Sequence, residues 1–450
     1  MVMQAPGEYE VVRCDILSHT LDDIVNIPAN VLEFSISENI RRPYLTAKMA
    51  INDDFAMYDQ LRLNGTELLE LTIQQPNVQQ SPAPIPVTLR FNIVEVMGAR
   101  KVSDDKEVLE INLVETTYVN QAASLISKAY KGRPDRIIQQ ILKDALGMEI
   151  DFSSSRYIPP VQEPMHICIP YLTAFQACEM VLERMSTDFG MPFFLYTCMN
   201  TGIIQLQSLE QMLKGNVWND HIPYRFSQAY NQGSEHGSDP SIVFNVMDYH
   251  AIKNENTINL MQRGCVGSDG VNIDVNAGTT LNYHLNIDNE LRGLTESQII
   301  PNGFDPVHHS NFRVKDKRIS DLNNKQVTTI MTAKTMPGFN NLGESHTPAQ
   351  FKNRHTTHAM KSLLIKSDMT IVVPGQMYLT GHNASIGRQI QYIHHSNNSR
   401  LKDIAGNVSA EDAEDKSRSG IYTILAAKHL FTAEEKHNVI LECGKLGRPI

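Results

Sequence analysis

Few side chains in this sequence have types and spacings that could do chemistry, and none of them forms a complete set. His355-Thr356-Thr357-His358 could place two imidazoles one helical turn apart, a spacing that metals use, yet no Asp, Glu or Cys sits at a matching offset. The stretch reads as a solvated polar helix. His308-His309 and His394-His395 are adjacent pairs. In a strand, neighbours point to opposite faces, which is poor geometry for one ion. Asp269-Gly270 and Asp274 resemble a fragment of a calcium loop, without its spacing or its closing Glu. Glu179 and Glu183 lie a turn apart on a predicted helix. A paired acid and base would need burial to move a pKa, and the pattern gives these two a solvated face. Phe193, Phe194 and Tyr196 read as core, because stacking platforms for bases sit in basic grooves and this chain is acidic. Phosphate-cradling, dinucleotide, zinc-protease and nucleophile-elbow motifs are absent from the sequence. The expectation is therefore no catalytic residue, no cofactor-binding residue and no metal ligand, and no enzyme.

The elements that carry these residues belong to a chain of 450 residues, 41% hydrophobic and 20% charged, which is a globular composition with room for about two to four domains. Its net charge of −10 argues against a nucleic-acid grip, which needs Lys and Arg to neutralise phosphates. No apolar run reaches the roughly 18–20 residues that span a bilayer, so no membrane insertion is expected. The start, Met1-Val2-Met3-Gln4-Ala5-Pro6-Gly7-Glu8, carries no basic region followed by an apolar core, so no secretory signal is expected. Cys14, Cys168, Cys178, Cys198, Cys265 and Cys443 are scattered, with no pair at metal or redox spacing, and read as reduced structural thiols.

Strand patterns dominate residues 8–116. Leu89, Phe91 and Ile93 alternate with Thr88, Arg90 and Asn92, which puts one face in a core and the other in water. Repeated short strands of this kind favour a barrel or sandwich. The period then changes. Residues 134–146 predict a helix, with Pro134 in its first turn, an apolar stripe through Ile137, Ile138, Ile141 and Leu142, and Gly147 to end it. A second helix begins at Thr173, with Gln176 in a capping-box position. The strands 192–197 and 203–206 and a short helix at 209–214 close this unit. Beyond it, 241–247 and 257–260 read as strands, 264–289 and 301–311 as polar and turn-rich, and 351–360 as a helix. Strands resume at 363–365, 369–373 and 389–393, and a hairpin within Ser419 to Gly444 ends the chain. Residues 74–86, 232–240, 337–350 and 402–418 read as loops. Phe91 to Val108 and Tyr422 to Val439 span equal intervals, each running from an apolar strand through a polar turn into a second strand. That is a faint internal repeat between the two ends.

Several motifs in order carry a resemblance: Tyr130-Lys131-Gly132-Arg133-Pro134-Asp135-Arg136-Ile137-Ile138, Phe189-Gly190-Met191-Pro192-Phe193-Phe194-Leu195-Tyr196, Gln205-Leu206-Gln207-Ser208-Leu209-Glu210, and Ser419-Gly420-Ile421-Tyr422-Thr423-Ile424 with Lys428-His429-Leu430-Phe431. The chain resembles the baseplate hub proteins of contractile-tailed bacteriophages and, more remotely, the hub portion of type VI secretion spike proteins. The resemblance implies an α+β fold with two tail-tube-like antiparallel β-barrel modules and intervening α/β domains. The expected bounds are 1–116 for the first barrel, 117–215 for the α/β domain, 216–360 for an irregular β-rich insertion and 361–450 for the second barrel. It also implies a homotrimer in the virion baseplate, assembled in the host cytoplasm, that adapts a sixfold tail tube to a threefold central spike. The implied partners are the tail tube or tube-initiator protein, the central spike protein and the baseplate wedge proteins. DNA would pass through an acidic lumen without specific binding. The closing hairpin is expected to pair across subunits with its counterpart in the first module. The alternatives are a tail-tip peptidoglycan hydrolase using Glu179 or Glu183, or a type VI secretion-like spike hub component.

Overall fold

The structure is a computed structural model. It describes residues 7–18, 23–54, 56–74, 86–103, 106–150, 152, 157–160, 165–199, 202–219, 222–226, 244–253, 257–274, 278–300, 304–306, 312–322, 326–331, 348–375, 386–394, 415, 418–434 and 436–449. The molecule is mainly β with a few helices. Strands β1 (Glu10–Ser18), β2 (Asp23–Asn26), β3 (Val31–Asn39) and β4 (Thr46–Asp53) come first, then a turn of helix, α1 (Met57–Gln60). Strands β5 (Leu68–Gln74), β6 (Val87–Ser103) and β7 (Lys106–Glu115) follow. They pair antiparallel in the order β3-β4-β7-β6-β5-β1-β2. The expected alternation holds: Leu89, Phe91 and Ile93 are buried together with Met49, Leu71 and Ile111 from neighbouring strands, in one cluster. Because every strand sends its alternate residues into the same cluster, the sheet must bend over its own inner face. Among the described residues the ladder does not close, since β2 pairs only with β1.

The next unit contains α2 (Thr116–Ala123), β8 (Leu125–Gly132), α3 (Pro134–Leu146), β9 (Met165–Thr173), α4 (Ala174–Leu182), β10 (Phe193–Thr197), β11 (Ile204–Ser208) and α5 (Leu209–Leu213). Both expected helices are present. Gly147 ends α3 at φ +64°, and the Gln176 side chain accepts from the Thr173 N–H at 3.2 Å to cap α4. The ladder between β8 and β9 is not legible in the sequence, because β8 buries only Ile126 and Tyr130 and shows no steady alternation. At the head of α3 the Asp135 carboxylate is fully buried. It accepts from Arg133 at 2.7 and 2.6 Å and from the Tyr157 hydroxyl at 2.8 Å. Burial pushes its pKa up, but the Arg133 fork and the Tyr157 hydroxyl outweigh burial and hold it below the usual carboxylate range.

Residues 216–366 differ from expectation. After β12 (Tyr224–Phe226), β13 (Asn245–Val246) and β14 (Asp248–Lys253), the stretch expected as a strand at 257–260 is helix α6 (Thr257–Gln262). Gly264, at φ +72°, lets the Cys265 N–H fold back onto the Leu260 carbonyl at 2.9 Å and terminate that helix. The turn-rich reading of 264–289 is also corrected. Strands β15 (Gly267–Asp274) and β16 (Thr279–Asn286) form there, and α7 (Ile287–Glu296) follows. Polar residues sit in β15 because their partners lie inside the fold: the Ser268 hydroxyl donates to the Gly264 carbonyl at 2.9 Å. Gly270 is required there, since a Cβ would lie 1.9 Å from the Tyr283 ring. The short strands β17 (Phe304–Pro306), β18 (Arg313–Val314) and β19 (Lys317–Arg318) precede β20 (Gln326–Met331), which pairs parallel with β15. Helix α8 (Pro348–Lys366) absorbs the strand expected at 363–365, because Ala359, Met360, Leu363 and Leu364 form one helical stripe in the core.

The chain closes with β21 (Ser367–Pro374), β22 (Gln389–Ile393), β23 (Gly420–Phe431), β24 (His437–Gly444) and β25 (Gly447–Pro449), the last paired with β17. Strands β21 to β24 join β12 to β14 in the order β14-β21-β24-β23-β22-β12-β13. The loops expected at 75–85, 232–240, 337–347 and 402–414 lie outside the described residues.

The two halves of this 14-stranded sheet repeat one another strand for strand in chain order. Strands β1 to β7 correspond to β12, β13, β14, β21, β22, β23 and β24, with the β15–β20 unit inserted after the third. The match extends to register. The Ile51–Leu109, Met49–Ile111 and Ala47–Leu113 pairs recur as Val373–Val439, Ile371–Leu441 and Met369–Cys443. A β-bulge between Ile93 and Glu95, opposite Leu113 and Asn112, recurs between Ile424 and Ala426, opposite Cys443 and Glu442. The halves differ at one end, where β22-β12-β13 pair parallel and β5-β1-β2 antiparallel.

Candidate functional site

The closing hairpin pairs within its own chain. Ala426 to Phe431 of β23 lie antiparallel to Asn39 to Phe34 of β3, which overturns the expected pairing across subunits. The reason lies in the length of β23. Its first residues pair with β22, and the remainder of the same edge stays open for β3. This seam is where the two halves of the sheet become one.

A buried polar chain crosses the seam. His429 Nε2 lies 3.2 Å from Glu38 Oε1, and His429 Nδ1 lies 3.1 Å from His437 Nε2. The Met199 N–H donates to Glu38 Oε2 at 2.8 Å, so the loop after β10 is tied to the same point. Glu38, His429 and His437 are 2%, 3% and 1% exposed, which makes the pairing obligatory. A carboxylate accepts only, so His429 Nε2 donates to Glu38, and His429 Nδ1 faces His437 Nε2. Burial, and then the neighbouring His429, hold the His437 pKa well below the ordinary 6.5. An aromatic stack seals the chain. Phe431 stacks on Phe34 at 4.2 Å and on His437 at 4.3 Å, and Tyr9 meets its edge at 4.9 Å. This arrangement can fix strand register and hold two sheet halves together.

The residues singled out in the sequence are dispersed. His355 is buried, with Nε2 at 3.1 Å from the Ser268 hydroxyl, whereas His358 is exposed, so the two imidazoles do not share a site. The solvated reading of that helix is corrected. Thr356 and Thr357 are buried, and their hydroxyls donate to the Lys352 and Asn353 carbonyls at 2.9 and 2.8 Å. The Gly190 carbonyl lies 2.8 Å from the Thr357 hydroxyl, and Gly190, at φ +71°, allows this approach because a Cβ there would lie 2.8 Å from Thr356. Glu179 and Glu183 are exposed on and after α4. Asp269 pairs with His284 at 2.8 Å on a partly exposed strand. His394 is buried, at 2.9 Å from the Tyr392 hydroxyl and 3.2 Å from Arg418 Nη1. His308, His309 and His395 and the Asp274 side chain lie outside the described residues. Phe193, Phe194 and Tyr196 are core. The six cysteines are free and only Cys168 is exposed. Among the described residues no cluster of three or more His, Cys, Asp or Glu is arranged to hold a metal, and no helix is long and apolar enough to cross a membrane.

Sequence reasoning missed Glu38, His429 and His437. A signal existed: period-two alternation puts His429 between Ala427 and Phe431, and His437 in line with Val439 and Leu441, on the apolar faces of their strands.

Comparison with solved structures places this geometry. A tail protein from Neisseria meningitidis matches with a TM-score of 0.51 and 12% identity over 97% of this chain and 97% of its own. The chain has a tail-protein fold. A prophage MuSo2 tail protein from Shewanella oneidensis aligns over 96% of this chain and 98% of its own, with a TM-score of 0.49 and 8% identity. An E. coli component of the type VI secretion system, described as similar in structure to bacteriophage T4 tail proteins, aligns over 94% and 76%, with a TM-score of 0.36 and 10% identity. No protein-family model matches the chain, and no curated protein matches it in sequence.

Proposed function

We propose that this chain is the structural, non-enzymatic hub of a contractile phage tail baseplate. In this reading it acts as a homotrimer that adapts the sixfold tail tube to a threefold central spike. The observation that carries the reading is the repeated seven-strand order on either side of one seam. Two equivalent modules per chain give six in a trimer, which is the number a sixfold tube requires, while the unrepeated elements keep threefold symmetry for the spike. The modules are tube-like barrels, proposed at 1–116 and 361–450. The second also draws strands from 224–253 into its sheet. The α/β domain at 117–215 and the insertion at 216–360 face the spike and the wedge proteins.

The net charge of −10 suits a passage that lets DNA through without holding it. The protein resides in the virion tail, assembles in the host cytoplasm and contacts a tube or tube-initiator protein at the modules. Native mass measurement at micromolar concentration, with particle imaging, tests this. A trimeric ring with a central hole of duplex width is the expected result. A monomer that persists when tube and spike partners are supplied would refute it.

A further inference from the structure

The strand pair β8–β9 holds a side chain that the fold itself does not need. Ile126 and Tyr130 of β8 and Ile167 and Ile169 of β9 share one buried cluster with α3 and α4. The opposite face is bare. Ser127, Ala129 and Lys131 are exposed there, and so are Pro170 and Cys168, which pair with Ser127 and Ala129. Between Leu172 and Pro170 the register slips by one residue, and the extra residue is Tyr171. Its φ is +54° and its side chain is 67% exposed. The other non-glycine residues at positive φ stand in turns or at helix ends, whereas Tyr171 lies within a strand. A bulge at this φ suits glycine, and a bulky residue held there is strained. Because the ring is in water, the strain brings the core no packing in exchange. Strain of this kind, kept without a gain to the fold, marks a side chain used for something else.

The surface around it is cationic in an acidic chain. From Leu125 to Lys143 there are five Lys and Arg and one acid, Asp135, which is buried and bonded to Arg133. Lys128 pairs with Asp144, but Lys131 pairs with no acid among the described residues. Strand β9 contains no Asp, Glu, Lys or Arg, so nothing on it offsets that charge.

We infer that the bare face of β8 and β9 docks an acidic segment of a different protein, with Tyr171 as the aromatic anchor and Lys131 as the cation that meets its carboxylates. Charge complementarity sets the chemistry of the occupant, and an exposed, rigidly held Tyr is the residue type on which binding energy concentrates. On the hub reading above, on which this inference rests, the α/β domain faces other tail proteins, and the occupant is one of them.

The unaltered chain carries its own reporter. Cys168 lies opposite Ala129 on this face, and the other five cysteines are buried. Its alkylation should be at least about tenfold slower in tail particles that contain this chain than in the isolated chain. Carbodiimide, which joins an amine to a carboxylate without a spacer, should link Lys131 to an Asp or Glu of a second protein in those particles. Tyr171→Gly should keep or raise the melting temperature of the isolated chain, yet weaken the protection of Cys168 by about tenfold or more. A lower melting temperature would show that the ring serves the fold, and would overturn the inference. A Lys131 link to this chain's own sequence, or protection without any Lys131 link, overturns it as well. Unprotected Cys168 in particles that contain the chain removes this inference and leaves the hub reading standing. A chain that never enters tail particles removes both.

Discussion

The first and second halves of the sheet share strand order, register and a bulge, yet they treat the same edge differently. In the second half the outer part of the sixth strand is covered by β3 and locked by Glu38, His429 and His437. In the first half the equivalent part of β6 has no further strand partner among the described residues, and Val94 and Met97 there are half exposed. The cores differ as well. The first half encloses its own cluster, whereas the second shares one cluster with α7, α8 and the β15–β20 unit. A duplicated module therefore keeps its strand ladder and changes what its edges and outer faces meet. Buried polar groups and aromatic stacking mark the covered edge of β23, and among the described residues the equivalent edge of β6 has neither.

Substitutions at equivalent positions separate the two halves. The largest effect is expected at Phe431, stacked between Phe34 and His437 and 1% exposed. Phe431→Ala should cost about 3–5 kcal/mol in denaturant unfolding. Its counterpart Lys101 is exposed, and Lys101→Ala should stay within about 0.5 kcal/mol. Equal losses at both sites would break the comparison. Ile440→Pro should cost about 3 kcal/mol or more. Ile440 pairs with Val372 on one side and Lys428 on the other, so the lesion strikes the interior of a sheet and unfolds the second half before assembly is tested.

Glu38→Ala should cost about 1–3 kcal/mol, because it leaves the Met199 N–H and His429 Nε2 without their acceptor. Thermal melts read it directly. The seam also predicts acid sensitivity. His437 takes up a proton in the folded state only well below 6.5, whereas the unfolded chain takes it up near 6.5. The unfolded state therefore binds more protons as pH falls below 6.5, and stability present above that value is lost by up to about 1.4 kcal/mol per pH unit. His437→Phe should flatten that part of the stability profile, and an unchanged slope would remove His437 as its source. The smallest effect belongs to Glu179→Gln. At an exposed position it should move stability by less than about 0.5 kcal/mol. It should also leave a cell-wall suspension as turbid as the unchanged protein does. Clearing by the unchanged protein, lost in the variant, would revive a hydrolase.

Much of the first half was legible because one face of each strand meets a core and the other meets water, so period-two alternation survives in the residues from Val31 to Leu113. The helices 134–146 and 174–182 were legible through their caps and stripes. The insertion was not. Six of the eight residues of its strand β15 are Gly, Ser, Asp or Asn, and Tyr283 and His355 pack against it. Helix α8 carries Thr356 and Thr357 inward, where backbone carbonyls satisfy them, so its buried face reads as polar. In the candidate site, His429 and His437 stood on apolar faces, but Glu38 is a charged residue next to the end of β3 and carries no such signal.

The sequence by itself determined many local choices: the strands of the first half, the helix 134–146 with Gly147 at its end, the helix after Thr173, and that the two ends resemble each other. Those follow from side-chain period and backbone freedom, which act over a few residues. Only the tertiary structure decided that β23 lies beside β3, that 224–253 joins the closing strands, and that Glu38 meets two histidines nearly four hundred residues away. Strand partners are chosen by which edges remain open once the nearer ladders have formed, and no local pattern records that choice.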